Sequence, residues 1–181
     1  MKYILLSLIL ILLVKEGQAQ DRTRSLAIGY FSQLAMAHGV SAQFSTPIHE
    51  WSGQERNHQI MLQSQLAWFG LPNDFQAVLI NPGIGLRRQK SARKSWQIWA
   101  VSAGYLYQAN AIGTAVDLQG NTSVSGREGS HHFFPNLSLT HGHHISTNLS
   151  LYGKIGLAAR IAGTAADNLS LLFEIGLSRH F

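Results

Sequence analysis

The chain of 181 residues contains no cysteine. Disulfides, thiolate metal centres and lipoprotein processing are therefore excluded. Charge is also scarce: 13% of residues are charged, against about 25% in a typical soluble domain. Beyond Val14 no apolar run approaches the ~20 residues of a membrane-spanning helix. The formal charge is +5, but no Lys/Arg stripe interleaved with aromatics accompanies it, which argues against nucleic acid as a partner. The one dense basic cluster, Arg87-Arg88-Gln89-Lys90-Ser91-Ala92-Arg93-Lys94, reads as a loop facing anionic headgroups or water, and the solvated loop is favoured.

What is present is alternation. Counting back from Phe181 in twos gives Arg179, Leu177, Ile175, Phe173, Leu171 and Leu169. Between them fall His180, Ser178, Gly176, Glu174, Leu172 and Ser170. One face is apolar except at Arg179, and the other is mostly small or polar. A strand with one face in lipid and one in a polar interior has this pattern. Its aromatic carboxy-terminus resembles the closing strand of a bacterial outer-membrane β-barrel. Recognition of that strand, ending in Phe181, by the barrel-assembly machinery is expected, with outer-membrane lipid as the surrounding partner.

The amino-terminus points to export. Lys2 supplies a positive charge, Ile4 to Val14 is apolar apart from Ser7, and Gly17-Gln18-Ala19 offers small residues at signal-peptidase spacing. Residues 1–19 are expected to be a cleaved signal peptide and 20–181 a single barrel domain, located in the bacterial outer membrane.

The expected fold is all-β, a closed antiparallel eight-stranded transmembrane barrel. Its strands are expected at 24–35, 40–48, 58–69, 75–87, 95–108, 133–143, 147–160 and 168–181. The first segment has an alternative reading as an amphipathic plug or periplasmic segment. A tight turn is expected around Ala37-His38-Gly39, with Gly39 free to take positive φ. An even strand count places both termini on the periplasmic side. The long connection from Ala109 to His132, rich in Gly, Ser, Asn and Thr, is then an outer loop with a hairpin turn at 117–121. Trp68, Phe69, Phe75, Tyr107 and Phe133 are expected near the outer interface, and Trp51, Trp96 and Phe181 near the inner one, as two aromatic girdles.

Gly29-Tyr30-Phe31, then His38-Gly39 and the run to Pro47-Ile48, with Gly104-Tyr105-Leu106 and the closing strand, resemble an uncharacterised family of small outer-membrane barrels from Bacteroidota. That family's opening is Gly-Tyr-Phe followed by a His-Pro-Gly turn. The present chain has His38-Gly39-Val40 and no proline in the turn. The resemblance implies a small outer-membrane barrel and no particular activity.

Little in the sequence carries chemistry. No phosphate loop, nucleotide fingerprint or nucleophile elbow is present, so no cofactor is expected. Among nine histidines, His131-His132 and His141-Gly142-His143-His144 are the densest. His141 and His143 share a strand face, but a stable metal site needs a third ligand and a second shell, and none is evident. Lipid A deacylases are small barrels with a His-x-Ser pair and an acidic partner. His144-Ile145-Ser146 matches that short pattern, with Glu174 as the nominal acid. The expected topology puts His144 and Ser146 in a periplasmic turn, away from lipid A, so the reading is non-enzymatic.

Eight strands leave an interior filled by side chains. The expected inward set is Gln43, Gln59, Gln63, Gln65, Arg87, Tyr152, Lys154, Arg160 and Glu174. Lys154 and Glu174 should oppose each other across the last hairpin, and Arg160 should extend this polar network toward the outer mouth. The function expected is envelope-structural or binding through outer loops. A lipid A-modifying enzyme and a narrow channel are the alternatives.

Export is tested by amino-terminal sequencing of the protein recovered from the outer-membrane fraction. The expected first residue is Gln20. Recovery with Met1 intact, or in the cytosol, would refute the signal-peptide reading.

Overall fold

A computed structural model describes residues 24–34, 36–53, 56–90, 94–116, 122–162 and 165–181; the segment 1–19, expected to be a signal peptide, lies outside these. Eight strands follow one another: β1 (Ser25–Gln33), β2 (Ala37–Ser52), β3 (Arg56–Leu71), β4 (Phe75–Lys90), β5 (Ser95–Val116), β6 (Thr122–His144), β7 (Leu149–Ala162) and β8 (Ala165–His180). Each pairs antiparallel with its sequence neighbour, and β1 pairs with β8 to close the barrel. The 24–35 segment is thus a staple of the closure, with nine residues from Ser25 to Gln33 in register on both sides, and not a plug. Backbone bonds between Arg24 and Phe181 extend the seam past both strand ends.

Side chains alternate as the pleat requires. On β3, Met61, Gln63, Gln65, Ala67 and Phe69 are buried, while Leu62, Leu66 and Trp68 are exposed. The closing strand does the same: Ser170, Leu172, Glu174 and Ser178 point inward, and Leu171, Phe173, Ile175 and Leu177 outward. Val40, Phe44, Ile80, Ile84, Trp99, Val101, Leu137, Leu151 and Ile155 continue the outer apolar belt around the other strands. Monomeric soluble proteins rarely expose apolar surface on this scale, whereas a strand barrel in lipid must. A tilted span needs about 9–11 residues, so β5 and β6, with 22 and 23 residues, overshoot any bilayer.

Several expected boundaries move. The stretch 109–132 is not a loop: β5 and β6 continue through it to Val116 and Thr122 with irregular register around Gly113, leaving only the tip at 117–121 outside the described residues. Cross-strand pairing satisfies backbone groups there that an open loop would leave to water. The basic cluster likewise begins inside a strand. Arg87 to Lys90 belong to β4, and Arg87 is buried in the lumen, so it is not wholly a solvated loop. The first turn also shifts. Leu34, not Gly39, takes the left-handed φ, at 54°. Gly39 lies in β2, paired with Phe31 and Phe69, where a Cβ would run into the Trp68 carbonyl oxygen. In the turn between β3 and β4 Asn73 takes φ 64°, a conformation asparagine tolerates.

Three expected girdle aromatics face the wrong way for lipid. Phe69 is 2% exposed, Trp96 5%, and Phe75 packs against the lumen's apolar cluster, because all three fall on the inward parity of their strands. Among the described aromatics, Tyr30, Phe44, Trp51, Trp68, Trp99, Tyr105, Tyr107, Phe133, Phe173 and Phe181 face out.

The close approach at Gly39 is testable. Gly39→Ala should lower stability by about 1–3 kcal/mol through overpacking against the β3 backbone. Urea unfolding of the refolded protein, followed by the mobility difference between boiled and unboiled samples, measures it. An unchanged midpoint would show that the β2–β3 contact is looser than described.

Candidate functional site: the barrel lumen

The interior is built in three tiers. The half nearest the β1–β2 and β3–β4 turns is apolar: Phe31, Phe69, Leu79, Leu106, Phe134 and Leu172 meet there with small alanines between them. Phe31 and Phe69 pack with ring centroids 5.0 Å apart. The lumen expected from the sequence is filled by a hydrogen-bonded network of long polar side chains, and the structure adds this apolar tier to it. Each of these residues occupies an inward position that alternation alone would have revealed.

The middle tier is polar and centres on Glu174. Its Oε1 accepts from Ser41 Oγ at 2.6 Å and from Tyr152 OH at 2.5 Å. Its Oε2 accepts from Gln65 Nε2 at 2.7 Å and lies 3.7 Å from Lys154 Nζ. Lys154 Nζ donates to Gln65 Oε1 at 2.9 Å and Gln43 Oε1 at 3.2 Å. Asn81 donates to Gln65 at 3.4 Å, and Asn136 to Asn81 at 2.9 Å. Buried charges demand such pairing, since an uncompensated one costs several kcal/mol. Side chains from β2, β3, β4, β6, β7 and β8 are tied together in this way. β1 contributes clearance: a Cβ on Gly29 would come within 2.7 Å of the Tyr152 hydroxyl. Only glycine lets Tyr152 lie across the bore to reach Glu174.

The register places Lys154 opposite Glu174 across the β7–β8 hairpin. Arg160 is not brought to them. It stands opposite Asn168, six residues along β7 and roughly 20 Å from Lys154 at the usual strand rise, with Ala158 of the apolar tier in between. Gln59 is also outside the tier; it donates to Glu50 at 2.8 Å on the rim that carries the chain ends.

The third tier, toward the chain ends, holds Ala27, Trp96, Ile98, Ala100 and Tyr152. Below it Ser150 Oγ gathers His144 Nδ1 and His180 Nε2, both at 2.8 Å, and Trp96 Nε1 at 3.4 Å. The Arg87 guanidinium sits 5.0 Å from the Trp96 ring centroid. A cavity of about 20 Å³ between the polar tier and Trp96, lined by Gln43, Ser45 and Tyr152 among others, has room for about one water.

The residues nominated for ester hydrolysis are dispersed. His144 bonds to Ser150, not Ser146. Ser146 is exposed and accepts from the Asn148 backbone N–H. Glu174 is committed to the polar tier. Sequence spacing could not have shown this, because the partner of His144 comes from the other side of the turn. His141 and His143 are exposed on the outer wall. Among the described residues no group of three or more His, Asp or Glu is placed to hold a metal ion.

No family model matches the chain, and no curated protein does. Solved structures do. A de novo designed transmembrane β-barrel aligns at TM-score 0.50 and 11% identity, covering 91% of this chain and all of the design. Ail, the attachment invasion locus protein of Yersinia pestis, aligns at TM-score 0.50 and 8% identity, over 90% of this chain and 100% of Ail. The outer membrane enzyme PagL aligns at TM-score 0.45 and 8% identity, over 87% of this chain and 98% of PagL, and lends no support to a catalytic reading. The fold is that of the small eight-stranded outer-membrane β-barrels.

The polar tier predicts a non-additive mutant cycle. Lys154→Met and Glu174→Gln should each destabilise by about 3–5 kcal/mol, and the double variant by less than their sum, because each single change strands a polar partner. Urea unfolding from detergent or bilayers gives the three values. Simple additivity would show that the two charges do not interact.

Proposed function

We propose that this chain is a non-conducting, non-enzymatic protein of the bacterial outer membrane, exported by the signal peptide at 1–19. Its role is envelope-structural, or binding through the hairpins at the end opposite the chain termini. The observation that carries the proposal is the filled lumen. An apolar stopper and a hydrogen-bonded polar tier lie in series, and either alone would impede ions. An eight-stranded bore has space for side chains and no wide aqueous path. The Lys154–Glu174 network then acts as a structural seal, tying six strands at mid-height, with Arg160 a separate charge near the outer mouth.

The apolar belt supports lipid as the surrounding partner. The β5–β6 hairpin supports the binding role, because its strands stay paired past the end of β4 and carry Arg127 and Glu128 where they leave the wall. Assembly through the closing strand ending in Phe181, by the barrel-assembly machinery, belongs to the same reading. So does membership of the Bacteroidota family that the Gly29-Tyr30-Phe31 and His38-Gly39 motifs resemble.

Planar-bilayer recording of the refolded protein tests the proposal. Wild type should show no conductance steps. The triple variant Phe69→Ala, Phe134→Ala, Lys154→Ala should show them, since it opens both tiers. Discrete steps from wild type would establish the narrow channel instead. Lipid A mass spectra from a deletion strain should match the parent; a changed acyl pattern would establish the enzyme.

A further inference from the structure

On the outer wall, near the rim that carries the chain ends, a sharp boundary crosses adjacent strands. One row of register partners is apolar: Ile60, Leu86, Trp99, Leu139 and Ile155. The next outward row toward the rim is His58, Arg88, Gln97 and His141. The step between them is two residues, roughly 7 Å along the strand. The wall thus changes from hydrocarbon-compatible to cationic and hydrogen-bonding within one pleat.

An open cleft of about 220 Å³ lies at this boundary, lined by Arg56, Arg88, Ser95, Gln97 and His141 with Gln89 and Trp96 of the wall behind them. Arg56, Arg88, Gln97 and His141 are exposed. Among the described residues no carboxylate lines the cleft. Glu50 lies in the alternate row, paired in register with Gln59 and so with Arg87, which faces the lumen. Two guanidinium groups, an imidazole and an amide therefore converge on one space, with no counter-charge among the described lining residues.

We propose that this cleft binds the phosphate of an anionic phospholipid whose acyl chains lie against Ile60, Leu86, Trp99 and Leu139. Guanidinium forks match phosphate oxygens in geometry and charge. The apolar row supplies the second half of the recognition, which a free anion in solution cannot use. A cation near a membrane surface is worth enough attraction for two arginines to give about a tenfold preference or more. The proposal rests on the reading of this barrel as a membrane protein.

The test uses full mature protein refolded in detergent, with three probes: phosphatidylglycerol, phosphatidylcholine and inorganic phosphate. Native mass spectrometry reads retained ligand for wild type and for the double variant Arg56→Gln, Arg88→Gln. Wild type should retain phosphatidylglycerol about tenfold better than phosphatidylcholine, and the variant should lose that preference. Equal retention of the two lipids by wild type overturns the proposal, as does an unchanged preference in the variant. Inorganic phosphate matching phosphatidylglycerol at equal concentration overturns the lipid assignment. A β-sheet spectrum and a boiled-versus-unboiled mobility shift, measured on both proteins, test the membrane-barrel reading separately. If those hold and the lipid preference is absent, only the cleft assignment fails.

Discussion

Closure governs this molecule. A strand in hydrocarbon must give every backbone N–H and C=O a partner, and a sheet can do so only if its two edges meet. Here they meet along β1 and β8, in unbroken register from Ser25 opposite His180 to Gln33 opposite Leu172. The inward and outward faces of all the other strands are then no longer independent. A slip of one residue anywhere would exchange the lipid belt for the lumen.

The lumen is what closure leaves to be filled, and it is filled unevenly. Toward the β1–β2 end, aromatic and aliphatic groups exclude water. At mid-height, Glu174 and Lys154 occupy a site that only their mutual contact and four neutral donors or acceptors make tolerable. Replacing such a pair by apolar groups need not weaken a protein, so stability alone does not account for it. What it adds here is connection: residues from four strands meet at one carboxylate and one ammonium, and Gln65 carries the network on to Asn81 of β4 and Asn136 of β6, which sets their relative heights. An apolar tier can repack, whereas a hydrogen-bonded one accepts few alternative registers.

The outer surface shows the same economy. On one outward face, the step from Trp99 to Gln97, or from Leu86 to Arg88, changes the wall from apolar to polar within two residues. At the other end β5 and β6 run on well past that belt, and their continued pairing makes a stiff arm out of a segment whose composition resembles a loop.

The period-two pattern by itself determined the class of fold, the strand count and most side-chain facings, because lipid and lumen impose opposite demands on alternate residues. It also placed Lys154 opposite Glu174, since a short hairpin makes register a matter of counting. Three things were decided only by the tertiary structure. The neighbours of Glu174 from β2 and β3, Ser41 and Gln65, reach it across the bore, and no local spacing encodes that distance. The turn assignment at Gly39 failed because glycine serves there for the approach of the Trp68 carbonyl, a contact from another strand. The nominal pair of His144 and Ser146 dissolved because His144 finds Ser150 across the turn. Local chemistry is written in the chain, but which inward groups share a height depends on how the closed sheet is staggered, and that is a property of all eight strands together.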